Sequence, residues 1–138
     1  MPYVVRKGVP EILELWKRLL KEHKQGVIGA DDRELFKKWS KATVLLRDNP
    51  KHPGLNSHEI DALTQRYGRK VFQSYLENNT PGAGRLFWVY GPEEGQITVI
   101  GLEPHPEDRK SQGYARVRLS KLPAPDPPAG KGASRQMR

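Results

Sequence analysis

The chain has 138 residues, a length that favours one domain over two. No run reaches the roughly 18 apolar residues of a membrane span, and the N-terminus lacks the apolar stretch of a secretory leader, so a cytoplasmic protein with no membrane partner is expected. The absence of cysteine excludes disulfide scaffolds, thiol nucleophiles and cysteine-bound zinc. Lys and Arg number 24 against 16 Asp and Glu, a formal charge of +8, with an isoelectric point near 9.8. Lys121, Lys131, Arg135 and Arg138 against Asp126 put +3 of this in residues 121–138, which leaves +5 in residues 1–120. A basic body of this kind points to a polyanionic partner, and nucleic acid is the commonest one.

In chain order, Tyr3-Val4-Val5-Arg6 is a short β-prone run that reads as an edge strand. In 9–24, Ile12, Leu13, Trp16, Leu19 and Leu20 fall on one helical stripe, with Pro10 in the first turn and Gly26 as a stop. A second helix is predicted over 32–48, capped by Asp31 and Asp32. Its stripe is Leu35, Phe36, Trp39, Ala42, Thr43 and Leu46, and Asn49-Pro50 ends it. The two form a helical hairpin.

The second half changes period. After a polar segment, 51–68, with helix-forming character at 57–66, four β-prone runs follow: Lys70–Leu76, Arg85–Tyr90, Gln96–Leu102 and Tyr114–Leu119. Gly91-Pro92-Glu93-Glu94-Gly95 is a hairpin turn by composition, so the middle two runs should be antiparallel neighbours. Asn78-Asn79-Thr80-Pro81-Gly82 separates the first two. The expected class is α+β, a helical hairpin packed on one face of a small antiparallel sheet. Residues 1–120 form the domain. The Pro/Gly-rich basic tail, 121–138, has too little apolar surface to offset its ordering entropy and is expected to be disordered.

Three places could carry chemistry. Arg85 opens a strand and shares its face with Phe87 and Val89. It either pairs with a carboxylate such as Glu103 or offers its planar fork to a phosphate. His105 stands between two prolines at a strand exit, among Glu103, Glu107, Asp108, Arg109 and Lys110, where an imidazole could act as a general acid or base. The loop Arg47–Gly54 brings Lys51 and His52 together as a basic turn, either solvated or contacting phosphates. His52 and His58 match no helical metal-ligand spacing, so no metal or cofactor is expected. Phosphate-binding glycine loops, serine-hydrolase elbows and zinc-protease motifs are absent from the sequence.

The layout resembles the RelE/ParE superfamily of bacterial type II toxins over residues 3–119. The residues that carry the likeness are Leu55, Leu63, Tyr67-Gly68-Arg69-Lys70-Val71, Gly84-Arg85-Leu86-Phe87-Trp88-Val89-Tyr90, Ile97-Thr98-Val99-Ile100, His105 and Tyr114. The resemblance implies a metal-independent endoribonuclease that cuts mRNA on the ribosome and is neutralised by a cognate antitoxin. In such an enzyme the RNA 2′-OH attacks its neighbouring phosphate. By position, Arg85 then stabilises the phosphorane, His105 is the acid or base and Tyr114 is the late aromatic or hydroxyl residue. Lys51, His52, Arg109 and Lys110 are the expected RNA contacts. A non-enzymatic reading stands beside it, either a gyrase-directed toxin or a basic RNA-binding module. The nuclease reading needs Arg85, His105 and one of Lys51 or His52 to converge on one concave patch.

Overall fold

The apolar periodicity of the first third folds as two antiparallel helices, and the glycine between them sets where the first one ends. A computed structural model of the chain describes residues 2–77, 84–104 and 113–125. Helix α1 spans Glu11–Gln25, with Glu11 and Glu14 in its first turn and His23 and Lys24 in its last, charges that complement the helix dipole. Gly26 closes α1 in the left-handed region at φ 72°, and its N–H bonds the Glu22 and His23 carbonyls. Helix α2 spans Ala30–Asp48. Its N-cap is Gly29 rather than an aspartate, and Asp32 is instead drawn into an ion pair with Arg18 of α1 at 3.1 Å. Helix α1 buries Ile12, Leu15 and Leu19, so the centre of its stripe passes through Leu15, which the predicted stripe omits.

Five strands form one sheet: β1 (Val4–Lys7), β2 (His58–Glu59), β3 (Phe72–Tyr75), β4 (Arg85–Tyr90) and β5 (Gln96–Glu103), in the order β1-β5-β4-β3-β2. Strands β2 to β5 pair antiparallel, as expected of a meander, but β1 runs parallel to β5. The sheet is therefore mixed. The two-helix crossover between β1 and the later strands permits a parallel pair, where a tight hairpin would not. Strand β5 lies between β1 and β4 and is buried along its whole length.

The sheet is covered on both faces, which corrects the expectation of helices on one side only. On the first face, Ile12, Leu15 and Leu19 of α1 and Trp39, Ala42 and Leu46 of α2 pack on Leu86, Trp88, Ile97, Val99 and Leu102. On the second face, Phe87, Val89 and Ile100 meet Ile60, Val71, Val117 and Leu63, the last from a short helix α3 (Asp61–Tyr67). Tyr67, Tyr114, Leu119 and Leu122 flank this smaller core.

Residues 114–119 are not a strand. They begin as a turn and continue as irregular backbone across the second face. Strand β5 has β1 on one side and β4 on the other, so this segment cannot follow β5 as its ladder neighbour. The segment is held by single bonds instead. A register shift between Phe87 and Trp88 leaves Ile100 as an extra residue on β5, and its carbonyl accepts the Ser120 N–H at 2.7 Å. Gly101 permits the crossing, since a Cβ there would lie 2.9 Å from the Arg118 carbonyl oxygen and 3.3 Å from the Phe87 ring. The ordered chain also runs past the predicted boundary at 121. Lys121 exchanges backbone bonds with Val9 at 2.8 Å, and Arg6 donates to the Ala124 carbonyl at 3.2 Å. Residues 126–138 of the predicted tail, and 78–82 of the predicted separator, lie outside the described residues. No helix among the described residues is long and apolar enough to cross a membrane.

Candidate functional site

The β4–β5 ladder sets the position of Arg85. Alternation along β4 sends Leu86 and Trp88 into the first core and Phe87 and Val89 into the second, so Arg85 shares the second face, as its spacing predicts. The antiparallel register puts Glu103 directly across from it on β5 and Tyr75 across from it on β3. Arg85 is half-buried, and its Nε is shielded from solvent with no hydrogen-bond partner among the described residues. A buried guanidinium N–H without an acceptor is costly, and an anion entering beside it would relieve that cost.

Arg85, Glu103, Gly113 and Tyr114 line a cavity of about 200 Å³ at this end of the second face. Glu103 is 2% exposed, and Gly113 donates a long bond of 3.4 Å to its Oε1. The Tyr114 hydroxyl donates to Gln73 Oε1 at 2.9 Å, while its ring meets Phe87 edge-on at 6.2 Å. Helix α3 fixes the segment that delivers Tyr114. Arg66 donates to the Tyr114 carbonyl at 2.8 Å and to the Val117 carbonyl, and the Tyr67 hydroxyl donates to the Ser120 carbonyl at 2.7 Å. Burial pushes the Tyr67 phenol above its ordinary range, and nearby Arg69 partly opposes the shift.

The predicted site residues thus divide. Arg85 and Tyr114 meet at one cavity. Lys51 and His52 do not line it. They flank a single 3-10 turn, Pro53–Leu55, that packs against α2 and β3 and sends Leu55 into the first core. The Lys51 N–H donates to Asn49 Oδ1, and His52 Nδ1 accepts the Gly54 N–H at 2.9 Å, which gives that ring nitrogen a capping role. His105, Arg109 and Lys110 lie outside the described residues.

Sequence reasoning named Glu103 as a partner for Arg85 and a neighbour of His105, and it missed Gln73 and Arg66. A regular count back from the Gly91–Gly95 turn would align Arg85 with Leu102, and only the extra residue Ile100 brings Glu103 opposite it. Gln73 and Arg66 carry no local signal, because their contacts depend on where an irregular segment crosses the sheet. No group of three or more His, Asp or Glu residues that could hold a metal ion occurs among the described residues.

No family model, curated protein or solved structure matches the chain.

Proposed function

We propose that the protein is the toxin of a type II toxin–antitoxin pair of the RelE/ParE kind, acting as a metal-independent endoribonuclease on mRNA. The observation that carries the reading is the cavity in which Arg85, its buried Nε without a partner among the described residues, meets Tyr114 and the Glu103 carboxylate. Attack of a 2′-OH on the adjacent phosphate needs a proton acceptor, a cation for the phosphorane charge and an acid for the departing 5′-oxygen. Arg85 suits the second task, because its planar fork of donors matches phosphate oxygens. Glu103 is the carboxylate nearest that fork in the ladder and supplies an acceptor, while His105 is kept for proton transfer from its place two residues further along the chain. The partners are RNA, the ribosome as the place of cutting, and a cognate antitoxin.

One observation favours the non-enzymatic alternative. Lys51 and His52, whose convergence with Arg85 the nuclease reading calls for, stand on the 3-10 turn beside α2 and β3. A basic RNA-binding module or a gyrase-directed toxin needs no such convergence.

The deciding experiment is single-turnover cleavage of mRNA, free and on ribosomes, by wild type, Arg85→Lys, Arg85→Ala and His105→Gln. Both Arg85 variants should lose on the order of 10²-fold in rate, as for removal of other transition-state donors. His105→Gln should lower the rate and remove a pH-dependent limb near neutrality. All three should melt close to wild type. Unfolding of Arg85→Ala, together with full activity in His105→Gln, would transfer the protein to the non-enzymatic reading.

A further inference from the structure

The charges on the helical hairpin are sorted. Arg18 bonds Glu22 one turn away on α1 at 3.2 Å and Asp32 on α2 at 3.1 Å, so one cation is held between two carboxylates where the helices meet. Those contacts raise the Arg18 pKa above its ordinary value, the bond to Asp32 first among them. Elsewhere on α1 stand Lys17, Lys21 and Lys24, all exposed. Together with Leu20 and Gln25 they line an open trough of about 360 Å³, and no carboxylate is among the lining residues. Their spacing of four and then three residues keeps the ammonium groups on one helical face along about 10 Å of axis.

We infer that this lysine stripe is a second, non-catalytic docking surface for RNA, one that grips the phosphate backbone of a double-helical segment away from the site of cutting. The argument is charge complementarity. Three ammonium groups in a row, without an ion pair among the described residues, match a line of phosphates, and each contact releases condensed counterions. An anionic membrane fits less well, since a helix lying in a lipid interface needs a broad apolar face and the trough offers only Leu20. The choice of RNA over DNA rests on the proposed function. The surface itself does not, because it neither touches Arg85 nor contributes to the cavity there.

The test uses the full chain and a short fluorescein-labelled RNA hairpin, with binding followed by anisotropy across a salt series. The triple variant Lys17→Gln, Lys21→Gln, Lys24→Gln should bind about tenfold or more weakly at low salt, and its log–log salt slope should shrink by about 2 to 3. A control, Lys37→Gln, Lys41→Gln, Arg47→Gln, removes the same charge elsewhere on the hairpin and should lose far less. Equal losses in the two triples, or none in the first, overturn the surface. A DNA duplex of the same sequence bound as tightly overturns the assignment to RNA. Stripe-dependent binding to phosphatidylserine vesicles, without binding to the hairpin, overturns it in favour of a membrane. A wild type that binds the hairpin through the stripe yet cuts no RNA sinks the nuclease proposal and leaves the docking surface standing. Cleavage with a hairpin affinity indifferent to the stripe does the reverse.

Discussion

The two faces of the sheet are covered by different means. On the first, α1 and α2 lay regular stripes of Leu, Ile and Trp over the strands. On the second, one short helix and an irregular segment do the covering, and individual polar bonds hold that segment: Arg66 to two carbonyls, Tyr67 to Ser120, Tyr114 to Gln73 and Ser120 to Ile100. Periodic cover buries more apolar area per residue and dominates stability. Each face carries a cavity with charged lining: the Arg85 cavity on the second, and one of about 280 Å³ on the first, where Glu34, Lys37, Lys38 and Lys41 of α2 face Glu77. The two faces are thus closed by different kinds of contact.

The largest expected effect tests the first half of that contrast. Trp39 is fully buried between the helices and the sheet, edge-on to Trp16 at 4.8 Å. Trp39→Ala should destabilise the protein by about 3–5 kcal/mol in urea or guanidinium titrations, the usual range for emptying an aromatic site. A loss no larger than that of the next variant would mean that the first face does not dominate.

Gly101→Ala probes the second face with a single methyl group. The new Cβ would press on the Arg118 carbonyl and the Leu119 side chain, and overpacking of this kind costs about 1–3 kcal/mol. Because it displaces the segment that carries Tyr114, it should also lower RNA cleavage or binding by more than the lost stability explains. Hydrogen exchange should rise in 113–122 and stay unchanged in α1 and α2. Uniform loosening of both faces would show that the two covers are one cooperative layer.

The same contrast explains how much was legible in the sequence. The stripes of α1 and α2, the run Arg85–Tyr90 and the turn before β5 are local patterns, and the structure keeps them with boundaries moved by a few residues. The parallel pairing of β1 with β5 joins residues some ninety positions apart, and no local pattern announces it. The alternation Tyr114, Arg116, Arg118 against Ala115, Val117, Leu119 has the period of a strand, but the sheet order leaves β5 no free edge to receive one. Local period proposes an element, and the topology decides whether it can pair. Of the cavity, Arg85 was legible from its place at the start of a patterned run, whereas Tyr114 was named by the family resemblance and the run it heads is not a strand. Gln73 and Arg66 were not legible, because their roles exist only once the irregular segment lies across the second face.

The smallest expected effect is a pH dependence of opposite sign from Lys7 and from two tyrosines. Lys7, on β1, holds its Nζ 4.7 Å from the centre of the Trp16 ring, and burial lowers its pKa below the ordinary 10.5. The folded state therefore releases this proton more readily than the unfolded chain does. Lys7 withholds stability while charged in both states, and that stability returns as pH rises from its depressed folded value through 10.5. Tyr67 behaves the other way. Its folded pKa lies above the ordinary 10.0, so its contribution is whole below pH 10 and is lost as pH climbs from there through the folded value. Tyr90, raised by burial and by its neighbour Tyr3, adds a loss of the same sign from the first face. Urea midpoints measured between pH 8.5 and 11 on wild type, Lys7→Met, Tyr67→Phe and Tyr90→Phe separate the three contributions. Relative to wild type, Lys7→Met should gain least at the top of the range and Tyr67→Phe should gain most there. Parallel curves for these two variants would mean that neither group titrates differently on folding.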